Sequence, residues 1–240
     1  MDATKHLEEV NRNGFTIIED VFSTEEITKL VSAIDRATKN IITSGQAKEV
    51  FSIRRFLKVV PETIPVIFNA KLKALIKNLW GTDYFLAKAI YFDKPQTSNW
   101  FVAYHQDLTI SVDKKQTLEG YGPWTVKQHQ FAVQPPLEIL ENMFALRLHL
   151  DDTNQDNGAL KIIRGSHLKG IRKHKDIDWL TEEENTCPVA MGSIMVMKPL
   201  LFHSSGRTLN NKRRRVIHLE FSNCELPPDI SWAERINWTT

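Results

Sequence analysis

The feature that most constrains the fold is a series of short β-rich segments separated by turn residues, which begins at about residue 83. A spacing of about 8–12 residues is typical of a β-sandwich or barrel, whereas βαβ units would alternate strands with longer helical patterns. We therefore predict a mainly β core over residues 83–226. Its long connection 113–140 is predicted to be an irregular lid. The predicted strands are YFLAKAIYFDK, NWFVAYHQDLTI, MFALRLHLDD, ALKIIRG, SIMVMKP, LLFHSS and RRVIHLEFSN.

Residues 1–82 have the pattern of a helical flank of the same domain. GFTIIEDVF (14–22) predicts a short strand, and Ser23 then begins a Ser-x-x-Glu capping box that opens an amphipathic helix. Residues 66–80 predict a second helix, which a glycine ends. Because the chain shows no internal repeat and no low-complexity linker, we predict one domain over residues 1–240, with the helices packed on the β core.

Composition narrows the class of function. The formal net charge of the 240 residues is only +2, so no strong field favours nucleic acid or an anionic membrane as a partner. The start MDATKHLEEVNRNG is too polar for a signal peptide, and no apolar run approaches roughly 18 residues. The two cysteines are too few for a disulfide framework. We expect a cytoplasmic protein with a small-molecule substrate and no nucleic-acid or membrane partner; its oligomeric state stays open.

Two His-x-Asp pairs are candidates for metal binding, His105 with Asp107 and His149 with Asp151. Side chains i and i+2 share a face of a strand, so either pair could chelate one ion. His203 ends an apolar run and enters a Ser/Gly turn, which suits a third ligand beside a cavity. Two histidines and one carboxylate form the facial triad of non-haem Fe(II) oxygenases, which leaves positions open for a cosubstrate and O2.

An arginine eleven residues after His203 points to the cosubstrate. In RRRVIHLEF, alternation places Arg214 on the polar face of a strand. A buried arginine beside a cavity needs an anionic partner, and its planar guanidinium matches a carboxylate bidentately. A 2-oxo diacid that chelates iron through its keto-acid end would present its second carboxylate to Arg214, and Ser205 could add a hydroxyl. Arg213 and Arg215 would replace Arg214 if the register shifted by one residue.

Together these segments resemble the phytanoyl-CoA dioxygenase (PhyH-like) family of Fe(II)/2-oxoglutarate-dependent oxygenases, over nearly the whole chain. The resemblance implies a double-stranded β-helix, which is a cupin-like jelly roll, with N-terminal helices on one sheet. It implies iron at His105, Asp107 and His203, and it places the 2-oxoglutarate carboxylate at Arg214 and Ser205, with Lys94 nearby. The matching segments are NGFTIIEDVFSTEEI, YHQD (104–107), LDDTNQDNGALKIIRGSH (150–167), MGSIMVMKPLLFHSS (191–205) and the arginine at +11.

The resemblance also implies the reaction, which is hydroxylation of a C–H bond of a small molecule with O2, forming succinate and CO2. It selects the first His-x-Asp pair as the metal pair, because the LDD segment follows the metal strand in this family. The spacing agrees, since His149 is only about half as far from His203 along the chain as His105 is. That distance is barely enough for the strands that must lie between.

Other residues are weaker candidates for contact with substrate. Arg147 and His149 share a face of an otherwise apolar strand, and polar groups on the inward face of a barrel need partners. Trp124 and Lys127 lie on the predicted lid. Two alternatives stay open: a cupin-like dioxygenase or isomerase that does not use 2-oxoglutarate, and a non-catalytic ligand-binding barrel. The residues select neither the substrate, such as an acyl-CoA or an amino-acid derivative, nor hydroxylation over another oxidative outcome.

Overall fold

The structure is a computed structural model that describes residues 2–47, 49–95, 101–127 and 130–239. The helices are α1 (Ala3–Asn13), α2 (Thr24–Thr43), α3 (Phe56–Val59), α4 (Ile64–Ile67), α5 (Ala70–Trp80) and α6 (Leu137–Glu141). The strands are β1 (Phe15–Ile18), β2 (Ser52–Arg54), β3 (Phe85–Lys94), β4 (Val102–His105), β5 (Ile110–Val112), β6 (Trp124–Lys127), β7 (Gln130–Val133), β8 (Phe144–His149), β9 (Leu160–Ile163), β10 (Glu184–Cys187), β11 (Ile194–Met197), β12 (His203–Ser205) and β13 (Arg214–Ser222). Among the described residues, no helix is both long and apolar enough to cross a membrane.

Two antiparallel sheets form the core. The larger sheet has the strand order β1-β11-β8-β13-β3-β2, and the smaller sheet has the order β10-β9-β12-β4. Neighbouring strands come from distant parts of the chain, as β3 and β13 do, so the two sheets are built by crossing over rather than by successive hairpins. This arrangement confirms the predicted mainly β, double-stranded β-helix fold.

The central strand β13 shows why one sequence serves both the core and a cavity. Ile217, Leu219 and Phe221 are buried in the apolar cluster that also contains residues of the N-terminal helices. Arg214 and His218, which alternate with them, line a cavity on the other face of the sheet. The period of two that the sequence predicted therefore separates an apolar face from a polar one.

The N-terminal helices cover the outer face of the larger sheet. At the start of α2, the backbone N–H of Glu26 donates to Ser23 Oγ at 3.2 Å, and the backbone N–H of Ser23 donates to Glu26 Oε2 at 2.8 Å, which is the predicted capping box. Leu30 of α2 and Leu72 of α5 are buried in one cluster with Leu148 of β8. Burial of each such side chain contributes about 1.5–3 kcal/mol. Packing against the sheet therefore holds the helices in place.

Residues 1–82, predicted as a helical flank, also contribute two strands, β1 and β2, to the larger sheet. The predicted strand within 14–22 forms β1, which pairs with β11 from Phe15↔Met197 to Ile18↔Ile194. The sequence analysis did not predict β2, which pairs with β3. Further along, Ile236 forms an isolated bridge with Leu86, so the chain beyond 226 also packs on the barrel.

The segment 113–140 was predicted to be irregular, and that prediction was wrong. It contains β6, β7 and α6, and β7 pairs with both β5 and β6 in a small third sheet. Trp124 of β6 packs against the apolar cluster that contains Val112 and Val133. These strands have only four residues each, which is too short for alternation to distinguish them from loop.

Candidate metal and cosubstrate site

The three predicted metal ligands converge at one end of the smaller sheet. His105 ends β4 and His203 begins β12, and these two residues are direct partners in the antiparallel register. Asp107 follows two residues after His105. Its Oδ1 lies 3.8 Å from His105 Nε2, and its Oδ2 lies 3.7 Å from His203 Nε2. The candidate ligand atoms of all three residues lie within 4.8 Å of one another, close enough to bind a single ion.

The backbone orients both imidazoles in the same way. His105 Nδ1 lies 2.9 Å from the carbonyl oxygen of Ala103, and His203 Nδ1 lies 2.9 Å from the carbonyl oxygen of Leu201. A carbonyl can only accept, so each Nδ1 carries the proton and each Nε2 keeps its lone pair toward the centre of the site. The donor set therefore fits a divalent ion bound by two imidazoles and a carboxylate, with the remaining positions open.

Electrostatics favour the protonation states that metal ligands need. Burial lowers the pKa of His203 to about 4, although Asp107 opposes this effect. Burial alone would raise the pKa of Asp107, but the charges of His203, His218 and His105 outweigh burial and hold that pKa below its ordinary value. A neutral imidazole and an ionised carboxylate result, so no protons need to be displaced from these groups before a cation binds.

Gln106, between the two ligands of the first pair, is a positioning residue that the sequence analysis missed. It is buried, and its Nε2 donates to the carbonyl oxygens of Gly170 at 2.9 Å and Leu200 at 2.7 Å. Its Oε1 accepts from the backbone N–H of Arg172 at 2.9 Å. With its side chain opposite to those of His105 and Asp107, Gln106 ties the end of β4 to two neighbouring loops.

The second His-x-Asp pair is engaged elsewhere. Asp151 accepts from Arg215 through Nε at 2.9 Å, NH2 at 2.6 Å and the backbone N–H at 2.8 Å. His149 is buried, and its Nδ1 lies 2.8 Å from Thr153 Oγ1. Since the carboxylate of Asp151 is held in a bidentate ion pair, the geometry supports the choice of the first pair for the metal.

The arginine run resolves into three different environments. Arg213 pairs with Asp93, and Arg215 pairs with Asp151. Arg214 points into the cavity, where its NH1 donates to the carbonyl oxygen of Gly158 and, at 3.3 Å, to Ser205 Oγ. Among the described residues it forms no ion pair, and its Nε is buried without a hydrogen-bond partner. Burial, together with the charge of Arg147, lowers the pKa of Arg214 to about 9.

Lys94 and Ser205 complete a cradle around Arg214. Lys94 Nζ donates to the carbonyl oxygen of Gly206 and, at 3.3 Å, to Ser205 Oγ. Gly158 is required here, because its φ is +86° and a Cβ would lie 3.1 Å from Lys94 Nζ. Burial, and next the charge of Arg214, lower the pKa of Lys94 to about 7. Two buried cationic groups and a hydroxyl placed side by side suit a carboxylate.

The metal ligands line one cavity of about 280 Å³ together with Arg214 and Ser205 of the cradle. The larger sheet adds a polar chain that the sequence analysis did not predict. Lys88 Nζ donates to Glu220 Oε1 at 2.9 Å, the same oxygen lies 3.1 Å from His218 Nε2, and His218 Nδ1 lies 3.3 Å from Arg147 NH1. Strand alternation could have predicted this chain in part. The even-numbered residues Lys88 and Lys94 of β3 lie on the same face of the sheet as the even-numbered residues His218 and Glu220 of β13.

The four candidate substrate residues have separate outcomes. Arg147 lines the cavity, whereas His149 is buried beside it with an unpartnered Nε2. Trp124 packs in the apolar cluster of the third sheet, so the structure gives no support to its predicted contact with substrate. The side chain of Lys127 lies outside the described part of the chain. None of the described residues of 113–140 lines the cavity, and a lid role for this segment stays a prediction.

A double-stranded β-helix whose strand ends bring two histidines and an aspartate together defines a class of metal-binding barrel. Comparison with known families is consistent with that class. The family model described as phytanoyl-CoA dioxygenase (PhyH) matches residues 10–216, so the chain belongs to the phytanoyl-CoA dioxygenase family. The prediction from the sequence motifs is confirmed, and the chain is thereby placed among the non-haem iron oxygenases that use 2-oxoglutarate.

The chain is similar to several known proteins, all at low sequence identity. An uncharacterised protein of Mycobacterium tuberculosis is 22% identical, with 95% of this chain and 78% of that protein covered. The non-haem α-ketoglutarate-dependent carbocyclase SnoK from nogalamycin biosynthesis superposes with a TM-score of 0.68 at 12% identity, covering 92% and 84% of the chains. EctD from S. alaskensis with bound Fe superposes with a TM-score of 0.69 at 16% identity, covering 91% and 75%.

Proposed function

We propose that the protein is an Fe(II)- and 2-oxoglutarate-dependent dioxygenase that hydroxylates a C–H bond of a small molecule. The single observation that carries the proposal is that the His105–Asp107–His203 cluster shares one cavity with Arg214 and Ser205, beside which Lys94 adds a second buried cation. A metal site alone would fit many barrels. The cradle adds a place for a second carboxylate, which is what distinguishes 2-oxoglutarate from simple metal-chelating acids.

The chain's own residues supply binding and orientation. His105, Asp107 and His203 would hold iron, and Arg214, Ser205 and Lys94 would hold the distal carboxylate of 2-oxoglutarate. When bound, the metal and cosubstrate supply the oxidative chemistry that consumes O2 and forms succinate and CO2. Asp107 offsets part of the metal's charge, while the buried cations of the cradle offset the charge of the diacid.

The rest of the cavity wall positions the substrate. Apolar side chains of both sheets, Ile90 and Phe92 of β3 and Leu160 of β9, line it together with the metal ligands. They exclude water from the reaction and leave a C–H bond of the substrate as the group that faces the metal. Hydroxylation of that C–H bond is the outcome that we propose. The carbocyclase activity in the name of SnoK shows why the outcome needs its own test.

The test uses the purified protein without a known substrate. Addition of 2-oxoglutarate to the anaerobic Fe(II) protein should produce a weak visible absorption band, and admission of O2 should release succinate slowly. A chelator such as EDTA should abolish both signals. As a matched cosubstrate control, 2-oxobutanoate lacks the distal carboxylate, so it should need a concentration about 10–100-fold higher because the cradle gains no partner. A protein that binds Fe(II) but gives neither band nor succinate would contradict the proposal.

Product analysis separates hydroxylation from other outcomes. Candidate small molecules can be screened for stimulation of succinate release above the uncoupled rate. The product of an active molecule should be 16 mass units heavier, and should carry label from ¹⁸O2, if an oxygen atom is inserted. A product of unchanged mass or two units lighter, formed in step with succinate, would keep the oxygenase class but overturn hydroxylation.

A further inference from the structure

Arg147 is a buried cation that the proposed cosubstrate site does not use. It lies on β8, is 7% exposed and lines the same cavity as the metal ligands. Among the described residues, its side chain forms one hydrogen bond, from NH1 to His218 Nδ1 at 3.3 Å, and Nε is buried without a partner. A guanidinium has five N–H donors, so most of the binding capacity of Arg147 is unused.

Neither of the two nearby carboxylates forms an ion pair with Arg147. Asp107 attracts Arg147 from a longer distance but belongs to the metal site, and the charge of Glu220 is already matched. Glu220 pairs with Lys88 at 2.9 Å, and its carboxylate also accepts from His218 Nε2 at 3.1 Å. With its proton on Nε2, His218 offers Arg147 only the lone pair of Nδ1. The chain from Lys88 to Arg147 thus holds two cations and one anion, and the excess positive charge sits at the Arg147 end.

The proposed cosubstrate does not supply the missing anion either. In the proposed function, Asp107 and the keto-acid end of 2-oxoglutarate meet the metal, and the distal carboxylate meets Arg214 and Lys94. Arg147 is in register with His218, which lies four residues from Arg214 along β13, or about 13 Å between the two backbone positions. The backbone of Arg147 therefore lies at a different level of the barrel from that of Arg214, although the charges of the two side chains still act on each other.

We propose that Arg147 binds an anionic oxygen group of the primary substrate, so that this enzyme acts on small organic acids rather than on neutral or cationic molecules. The inference rests on the proposed function and adds the substrate class. Carboxylates and phosphates share the geometry that a guanidinium recognises, and both are included. A buried cation without an acidic partner is costly, and binding of an anion removes that cost only when substrate is present.

Binding without turnover provides the test. The protein is loaded with Ni(II) in place of Fe(II), saturated with 2-oxoglutarate to fill the cradle, and titrated calorimetrically with butanoate, methylphosphonate and the neutral isostere butanamide. We expect at least one of the two anions to bind, and butanamide to bind at least about tenfold more weakly. Which of the two anions binds more tightly identifies the charged group of the substrate. Equal binding of butanoate and butanamide, with no binding of methylphosphonate, would overturn the proposal, as would no binding of either anion.

Variants then assign the preference to Arg147. Arg147→Gln should weaken binding of the anion about 10–100-fold and change the affinity for 2-oxoglutarate by less than about twofold. Arg147→Lys should keep part of the preference, and Arg36→Gln, on the exposed face of α2, should keep all of it. If Arg147→Gln weakens 2-oxoglutarate binding as much as anion binding, Arg147 belongs to the cosubstrate site and the inference is wrong.

Two further measurements keep the test decisive. Binding of 2-oxoglutarate to the wild-type metal-loaded protein is measured before any anion is added. If it does not bind, the proposed function itself fails. A purely structural Arg147 would lower the melting temperature on substitution without altering the ratio of anion to amide affinity. Because the buried charge forms no ion pair among the described residues, we expect Arg147→Met to melt at or above the wild-type temperature in the absence of ligand.

Discussion

The two sheets of the barrel contribute to the cavity in different ways. The smaller sheet provides the metal ligands from strand ends, where β4 stops at His105 and β12 starts at His203. The larger sheet provides cations from within its strands, as Arg147 does on β8 and Lys88 on β3. Ligands at strand ends leave room for water or a cosubstrate to bind the same ion. Cations within strands are held in position by the strand register and are shielded from water.

The difference extends to what holds each group in place. His105 and His203 are each oriented by a carbonyl oxygen two residues earlier, so a short piece of sequence is sufficient. Arg214 depends on Gly158, which is 56 residues away, and on Ser205, which is nine residues away in the preceding strand. The comparison teaches that the orientation of each imidazole is encoded locally, whereas the meeting of His105 with His203, like the surroundings of Arg214, depends on strand pairing. Substitutions in the metal half and in the anion half of the site should have separable effects.

The largest effect is expected in the smaller sheet. His105→Ala removes one of three metal ligands, and we expect loss of stoichiometric Fe(II) and at least about a 100-fold fall in succinate formation, beyond the range seen for outer-shell partners. The matched change His149→Ala, in the second His-x-Asp pair, should leave the iron content unchanged. Metal analysis by mass spectrometry checks both variants. Iron retained by His105→Ala but lost from His149→Ala would reverse the assignment of the two pairs.

A smaller effect is expected in the larger sheet, on the cosubstrate alone. Arg214→Gln should raise the dissociation constant of 2-oxoglutarate about 10–100-fold with the metal content unchanged, because bonds to a charged group are lost. Arg215→Gln breaks the ion pair with Asp151 and should lower the melting temperature while leaving that constant within about twofold. Calorimetric titration of the Ni(II) protein measures the affinity. If Arg215→Gln weakens 2-oxoglutarate binding and Arg214→Gln does not, the anion half is misassigned.

This division also explains what the sequence could predict. Alternation made His105 and Asp107 one of two candidate pairs, and the family resemblance, with which the spacing along the chain agrees, selected this pair together with His203. Arg214 could be chosen over Arg213 and Arg215 because only one parity of β13 faces the cavity, and the structure pairs both of the others with aspartates. The capping box at Ser23 is an equally local pattern.

What could not be predicted depends on register between distant strands. The chain from Lys88 through Glu220 and His218 to Arg147 requires β3, β13 and β8 to be adjacent, with Glu220 opposite Lys88 and His218 opposite Arg147. No short segment of sequence contains that information. In 113–140, the strands are so short that pairing, of β6 with β7 and of β7 with β5, rather than their own pattern, makes them strands. The packing of Trp124 in the apolar cluster of the third sheet depends on the same pairing.

The smallest predicted effect is a pH dependence that belongs to the larger sheet. Burial and the charge of Arg214 lower the pKa of Lys94 to about 7. A carboxylate bound at the cradle favours the protonated amine, so the complex with 2-oxoglutarate holds more protons than the free protein above this pKa. Affinity must then fall as pH rises, and we expect the dissociation constant to increase up to about tenfold between pH 7 and pH 8.

The stability of the unliganded protein should change with the opposite sign, which separates this mechanism from general alkaline unfolding. The unfolded chain has an ordinary lysine pKa, so it binds more protons than the folded chain from about pH 7 to about pH 10, and the contribution of Lys94 to the free energy of unfolding rises with pH in that window. Lys94→Met should flatten both profiles, measured by titration of the Ni(II) protein and by denaturant melts. Lys88 should contribute to neither pH dependence in this window. Burial alone would lower its pKa, but the ion pair with Glu220 outweighs burial and raises it. An unchanged slope of 2-oxoglutarate affinity in Lys94→Met would remove Lys94 from the cradle and leave Arg214 as its only cation.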